Sequence, residues 1–152
     1  MTSAAVEQSV TSADILPEDM LRADMYGFLA SLLRGEPSDE LLNTVVSIKG
    51  DPSAIGSASS VLATLASKLS GDEVRDEYMR LFIGVGRGEL LPYASFYLTG
   101  FLNDKPLADL RNDMAQMKIE RVDGVKDPED HIASLFDICL LYTSPSPRDF
   151  EA

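Results

Sequence analysis

Apolar residues recur at helical spacing along most of this chain, and no stretch alternates as a strand does, so helix packed on helix is the architecture open to it. Leu21, Met25, Phe28, Leu29 and Leu32 share one face. Pro17 suits the first turn of their helix, Glu18 and Asp19 favour its positive end, and Gly35 and Pro37 stop it. Ser38 is placed to cap a second helix carrying Leu41, Leu42, Val45 and Ile48 and ending at Gly50. A third is predicted from about Pro52 to Leu69, with Ile55, Ala58, Leu62, Leu65 and Leu69 aligned and its first turns weakened by serines and Gly56.

Ser70-Gly71-Asp72-Glu73 has the pattern of a capping box, serine at the cap and glutamate three residues on. The helix it opens carries Val74, Tyr78, Leu81, Phe82 and Val85, and Gly84 to Gly88 ends it. Pro92 begins an aromatic segment that closes at Gly100. Asp104 and Pro106 start a helix with Leu107, Leu110, Met114 and Met117 on one face, and Asp123-Gly124 reads as a turn. Asp127 is expected to cap a last helix, with Pro128 at its first position and Glu129 and Asp130 in its first turn. The fold class is therefore all-α, a helical bundle.

The chain has 152 residues and 45% hydrophobic content, enough for one domain with a core. A net charge of -12 argues against nucleic acid as a partner and suits a basic peptide. The single cysteine, Cys139, excludes an internal disulfide and a cysteine-based zinc site and points to a reducing, cytoplasmic setting. No apolar run is long enough to span a bilayer, and residues 1–14 lack the charge and apolar block of a secretory leader, reading instead as a disordered tail.

Gly84-Val85-Gly86-Arg87-Gly88 invites a phosphate-loop reading, but it follows a helix and lacks the lysine and hydroxyl residue such a loop needs; a connector is the better reading. His131, the only histidine, stands beside Asp127, Glu129 and Asp130. One imidazole among carboxylates is a poor transition-metal site, and no serine or cysteine nucleophile is placed beside it by sequence. On a helix, Asp127 and His131 would share a face, so Asp127 could orient the imidazole. Tyr93, Phe96, Tyr97 and Phe101 form an aromatic cluster that serves either as core or as a groove for a partner peptide.

Four segments in order carry a resemblance. Tyr78-Met79-Arg80-Leu81-Phe82-Ile83-Gly84, Leu91-Pro92-Tyr93-Ala94-Ser95-Phe96-Tyr97-Leu98, Pro106-Leu107-Ala108-Asp109-Leu110-Arg111 and Pro128-Glu129-Asp130-His131 resemble the TorD/DmsD/NarJ family of molybdoenzyme chaperones. Arg22 to Leu29 is similar to the family's opening helix. The resemblance covers roughly residues 15–138 and implies a cytoplasmic, non-enzymatic, all-helical chaperone with no cofactor of its own. Its implied partner is the catalytic subunit of a molybdenum oxidoreductase, bound through its twin-arginine signal peptide until the cofactor is inserted. Pro128, Asp130 and His131 inherit a role in peptide recognition, and Tyr78, Phe82, Ser95 and Tyr97 are candidates for the groove. Asp130 would take a guanidinium in two hydrogen bonds.

The family has further helices after this element, and here they are expected to be missing. From about Cys139 the helical pattern gives way to Leu140-Leu141-Tyr142-Thr143-Ser144-Pro145-Ser146-Pro147-Arg148-Asp149, which resembles a translated sequencing adapter; residues 139–152 are read as a non-native tail. Two other functions stay open on the residues alone: a small metal-dependent hydrolytic enzyme centred on His131, and a structural helical adaptor using the aromatic segment as its interface.

Overall fold

The computed structural model describes residues 16–86 and 88–143. The expected N-terminal tail and the end of the expected non-native tail lie outside them. The described residues form seven α-helices: α1 (Pro17–Leu33), α2 (Asp39–Ser47), α3 (Ala54–Lys68), α4 (Gly71–Tyr78), α5 (Ala94–Thr99), α6 (Lys105–Gln116) and α7 (Ile132–Thr143). The all-α bundle expected from periodicity is the fold observed.

Local chemistry sets most of the starts. Ser38 Oγ accepts from Leu41 N at 3.2 Å to open α2, and Ser53 Oγ accepts from Gly56 N at 3.0 Å to open α3. The capping box at α4 is complete: Glu73 N donates to Ser70 Oγ at 3.2 Å, and Ser70 N donates to Glu73 Oε2 at 2.8 Å. After Tyr78 the chain widens into a π-helical turn, Met79–Ile83, closed by Gly84 N donating to Met79 O at 2.7 Å. Val85, expected on the helix, lies beyond that turn and is fully exposed, because Gly84 at φ 61° has already turned the chain away.

The frame is long-range. The first described helix packs on the last: Tyr26 stacks on Phe136 with ring centroids 6.0 Å apart, and Arg34 clasps Asp137 with contacts of 2.8 and 2.6 Å. The helical pattern expected to fail near Cys139 continues to Thr143, and Leu140 lies against Gly27 of α1, so tertiary packing sustains this last turn. The α2–α3 pair buries Val45 and Ala63 and leaves the aligned Ile55, Leu65 and Leu69 largely exposed. Arg75 ties α4 to α2 through Asp39 at 2.8 Å. The Tyr78 hydroxyl donates to Leu33 O at 3.1 Å, satisfying a carbonyl that the end of α1 leaves open. Leu107 and Met114 face the core on α6, whereas Met117 is exposed.

Two glycines differ in what they permit. A Cβ at buried Gly88 would stand 2.5 Å from the Phe82 carbonyl carbon and 2.6 Å from Leu81 O, backbone atoms that cannot swing aside. A Cβ at Gly27 would meet only Leu140 Cδ2 at 3.5 Å, an ordinary contact. Gly88→Ala is therefore expected to destabilise the protein by about 1–3 kcal/mol through overpacking. Gly27→Ala is expected to stabilise it by about 0.5–1 kcal/mol through helix propensity. The shifts in urea midpoint at constant slope measure both.

Candidate functional site

The segment from Asp127 to His131 is not the first turn of a helix. It is a tight turn, closed by His131 N donating to Pro128 O at 3.0 Å, and α7 begins at Ile132. The expected cap at Asp127 and the expected helical Asp127–His131 pair are both overturned. The capping groups are engaged elsewhere: Asp127 Oδ1 accepts from the Tyr93 hydroxyl at 2.9 Å, and Glu129 meets Arg111 at 2.8 Å and Arg121 at 3.7 Å. Local cap chemistry therefore loses to long-range pairing. His131 takes the cap position instead: its carbonyl accepts from Leu135 N at 3.0 Å, and its Nδ1 accepts from Ala133 N at 3.2 Å.

This turn is stitched to the aromatic segment by an antiparallel bridge between Tyr93 and His131. Ala94 N donates to Asp130 O at 3.0 Å, and Ile132 N donates to Pro92 O at 2.8 Å. The Asp130 side chain continues the join, its Oδ2 accepting from Ser95 N at 2.9 Å. Asp130 is 1% exposed and Ser95 is fully buried. The Asp130 side chain thus sits in the interior against the Ser95 N–H in the opening turn of α5. Asp130 Oδ1 and Ser95 Oγ, both buried, have no hydrogen-bond partner among the described residues.

His131 is 6% exposed, and the Tyr93 ring meets it edge-on at 5.3 Å between centroids. Burial pushes the imidazole below its ordinary pKa; Arg34 adds to this, while Asp127 and Asp130 oppose it. The ring is therefore neutral near pH 7, and because Nδ1 accepts, its proton is on Nε2. The Tyr93 phenol is pushed up to about 12, first by burial and then by its bond to Asp127. Burial opposes ionisation of Glu129, but the Arg111 hydrogen bond, a backbone hydrogen bond and the charges of Arg111 and Arg121 overcome it, holding the carboxyl below its ordinary range.

Above this junction lies an apolar groove of about 250 Å³, whose walls include Leu33, Phe82, Leu90, Tyr93, Tyr97 and Leu135. Phe82 packs on Tyr78 with ring centroids 4.8 Å apart. Of the expected site residues, Phe82 and Tyr97 line the groove, and Tyr97 is 65% exposed. Tyr78 stands behind Phe82. Ser95, Asp130 and His131 are buried, and Pro128 forms the turn. Phe101, expected in the aromatic cluster, is exposed and does not line the groove. Leu33 and Leu90 were not expected there; neither carries a sequence signal that sets it apart from ordinary core leucine.

Ser95, Asp130 and His131 come together, but not as a nucleophilic triad. His131 Nδ1 accepts from a backbone N–H and makes no hydrogen bond to Ser95 Oγ, and Ser95 has no surface through which a substrate could arrive. Among the described residues no group of three or more histidine, cysteine, aspartate or glutamate side chains is arranged to hold a metal ion. No described helix is long and apolar enough to cross a membrane.

The profile of a family described as the nitrate reductase delta subunit matches residues 49–145. Three curated relatives, each named chaperone protein TorD, are similar to the chain. That of Vibrio parahaemolyticus is 28% identical and that of Vibrio atlanticus 30% identical, in alignments covering 76% of this chain and 61% of the relative. That of Aliivibrio fischeri is 28% identical over 86% of this chain and 70% of the relative. The chain thus spans about 61% of the length of the first two. No solved structure matches it.

Because folding lowers the His131 pKa from an ordinary value near 6.5, the unfolded chain binds its proton first as pH falls. The stability that the neutral ring contributes is present above pH 6.5 and is lost as pH falls through the lower folded value. His131→Asn retains a cap acceptor for Ala133 N and does not titrate. Urea unfolding at a series of pH values below 6.5 is expected to show a steeper loss of stability for wild type than for His131→Asn; parallel curves would contradict the assignment.

Proposed function

The chain belongs to the nitrate reductase delta subunit family, and we propose that it is a non-enzymatic chaperone that binds the catalytic subunit of a molybdenum oxidoreductase before its cofactor is in place. It takes hold through the twin-arginine signal peptide, in the cytoplasm, and the helical domain that does so is residues 15–138. The observation that carries this reading is the groove lined by Phe82, Tyr93 and Tyr97, built on the junction of two segments of the family's motif series. An apolar trough of aromatic and branched side chains suits the apolar stretch of such a peptide, and Tyr97 offers it an exposed ring.

Charge fits the other half of the peptide. Glu36 and Asp127 are exposed carboxylates whose negative field, after burial, helps raise the pKa of Tyr78 beneath the groove. Their negative charge suits the arginines that precede the apolar stretch of such a peptide. The overall charge of -12 speeds encounter with a basic peptide. The hydrolytic alternative gains no support from the site, whose histidine is buried and used as a cap.

Calorimetric titration with a twin-arginine signal peptide is the test. Binding is expected to weaken as salt rises. Tyr97→Ala is expected to raise Kd about tenfold, as loss of an aromatic anchor does, with little change in unfolding midpoint because the ring is exposed. Absence of binding by the wild-type chain would defeat the reading.

A further inference from the structure

Resting on the peptide-binding reading above, we propose that Asp130 is a positioning residue of the groove and not a contact for its occupant. The residue type and the motif suggest a carboxylate that meets an arginine of the peptide. Its burial forbids that: Asp130 is 1% exposed, and its one hydrogen-bonded carboxylate oxygen, Oδ2, accepts from Ser95 N at 2.9 Å. Ser95 lies in the first turn of α5, and Tyr97, two residues on, is a wall of the groove. On the other side, the backbone of Asp130 and Ile132 holds Ala94 and Pro92, and Ile132 and Leu135 of α7 form the facing wall. The buried carboxylate therefore adds a side-chain tie to the two backbone bonds that space walls from distant parts of the chain.

α5 has only six residues, too short to hold its place by its own hydrogen bonds. Without the carboxylate, Ser95 N loses its partner, the first turn of α5 loosens although Ala94 N keeps the Asp130 carbonyl, and Tyr97 moves relative to Phe82 and Leu135. The charge itself is dispensable, because an uncharged acceptor in the same place satisfies Ser95 N equally well. An asparagine amide also brings a donor to a junction where Asp130 Oδ1 and Ser95 Oγ both lack partners.

Two readouts on the full chain test this: affinity for the twin-arginine peptide by calorimetry, and amide hydrogen exchange across residues 95–99. Asp130→Ala is expected to lower affinity about tenfold or more, the scale of a buried donor left without its acceptor, and to speed exchange in α5. Asp130→Asn is expected to stay within about threefold of wild type and to keep α5 protected. A direct ion pair predicts the reverse for asparagine, affinity as low as alanine's with α5 exchange unchanged, and that result would overturn the proposal. Should Asp130→Ala fail to fold, Asp130→Asn alone still decides, since positioning requires it to bind and direct contact requires it not to. If wild type binds no peptide, the functional reading falls by itself; positioning then stands or falls on whether loss of the carboxylate speeds exchange in α5.

Discussion

A buried aspartate accepting a helix N–H joins two distant segments of this chain, the turn at 128–131 and the start of α5. Asp130 is shut off from solvent, so its side chain depends on the opening turn of α5 for a hydrogen-bond partner, and Ser95 N in that turn depends on it in return. That mutual need explains why the turn at 128–131 does not continue as a helix. The backbone there is already committed to the Pro92–Ala94 segment through two bridge bonds.

The groove follows from that junction and from one more long-range bond. Its walls come from the end of α1, the turn after α4, the segment through α5 and the start of α7. Tyr78 sets the α1 side by donating to Leu33 O, and the π-helical turn that follows it brings Phe82 round against the Tyr78 ring. The α1–α7 pairing, with Arg34 on Asp137 and Tyr26 on Phe136, keeps the outer elements in register so the inner walls can meet. The exposed ion pair contributes little by itself; the ring packing and the helix contact carry the frame.

The helical architecture was legible because helices are local. Serines at 38 and 70 announced their caps, and both cap as expected. The third helix, expected from about Pro52, starts at Ala54 because Ser53 caps it. Asp127 was misread because it looks like Ser38 in sequence: a short polar residue before an acidic turn and an apolar run. The difference is Tyr93, 34 positions away, whose hydroxyl claims the carboxylate. Asp130 was misread for the same reason, since an aspartate beside a histidine suggests an exposed charged corner and nothing in its neighbours reveals Ser95.

By itself, the sequence determined the all-α class, most helix starts, the acidic surface and the family to which the chain belongs. Those depend on residue order, periodicity and charge, which act over a few positions or as a sum. Tertiary structure alone decided which motif residues are buried and which line the groove. Asp130, Ser95 and His131 went inside, and Phe82 and Tyr97 came to the groove. The physical reason is that burial of a polar group depends on whether a distant backbone supplies its hydrogen bond, and that supply exists only once the chain has folded.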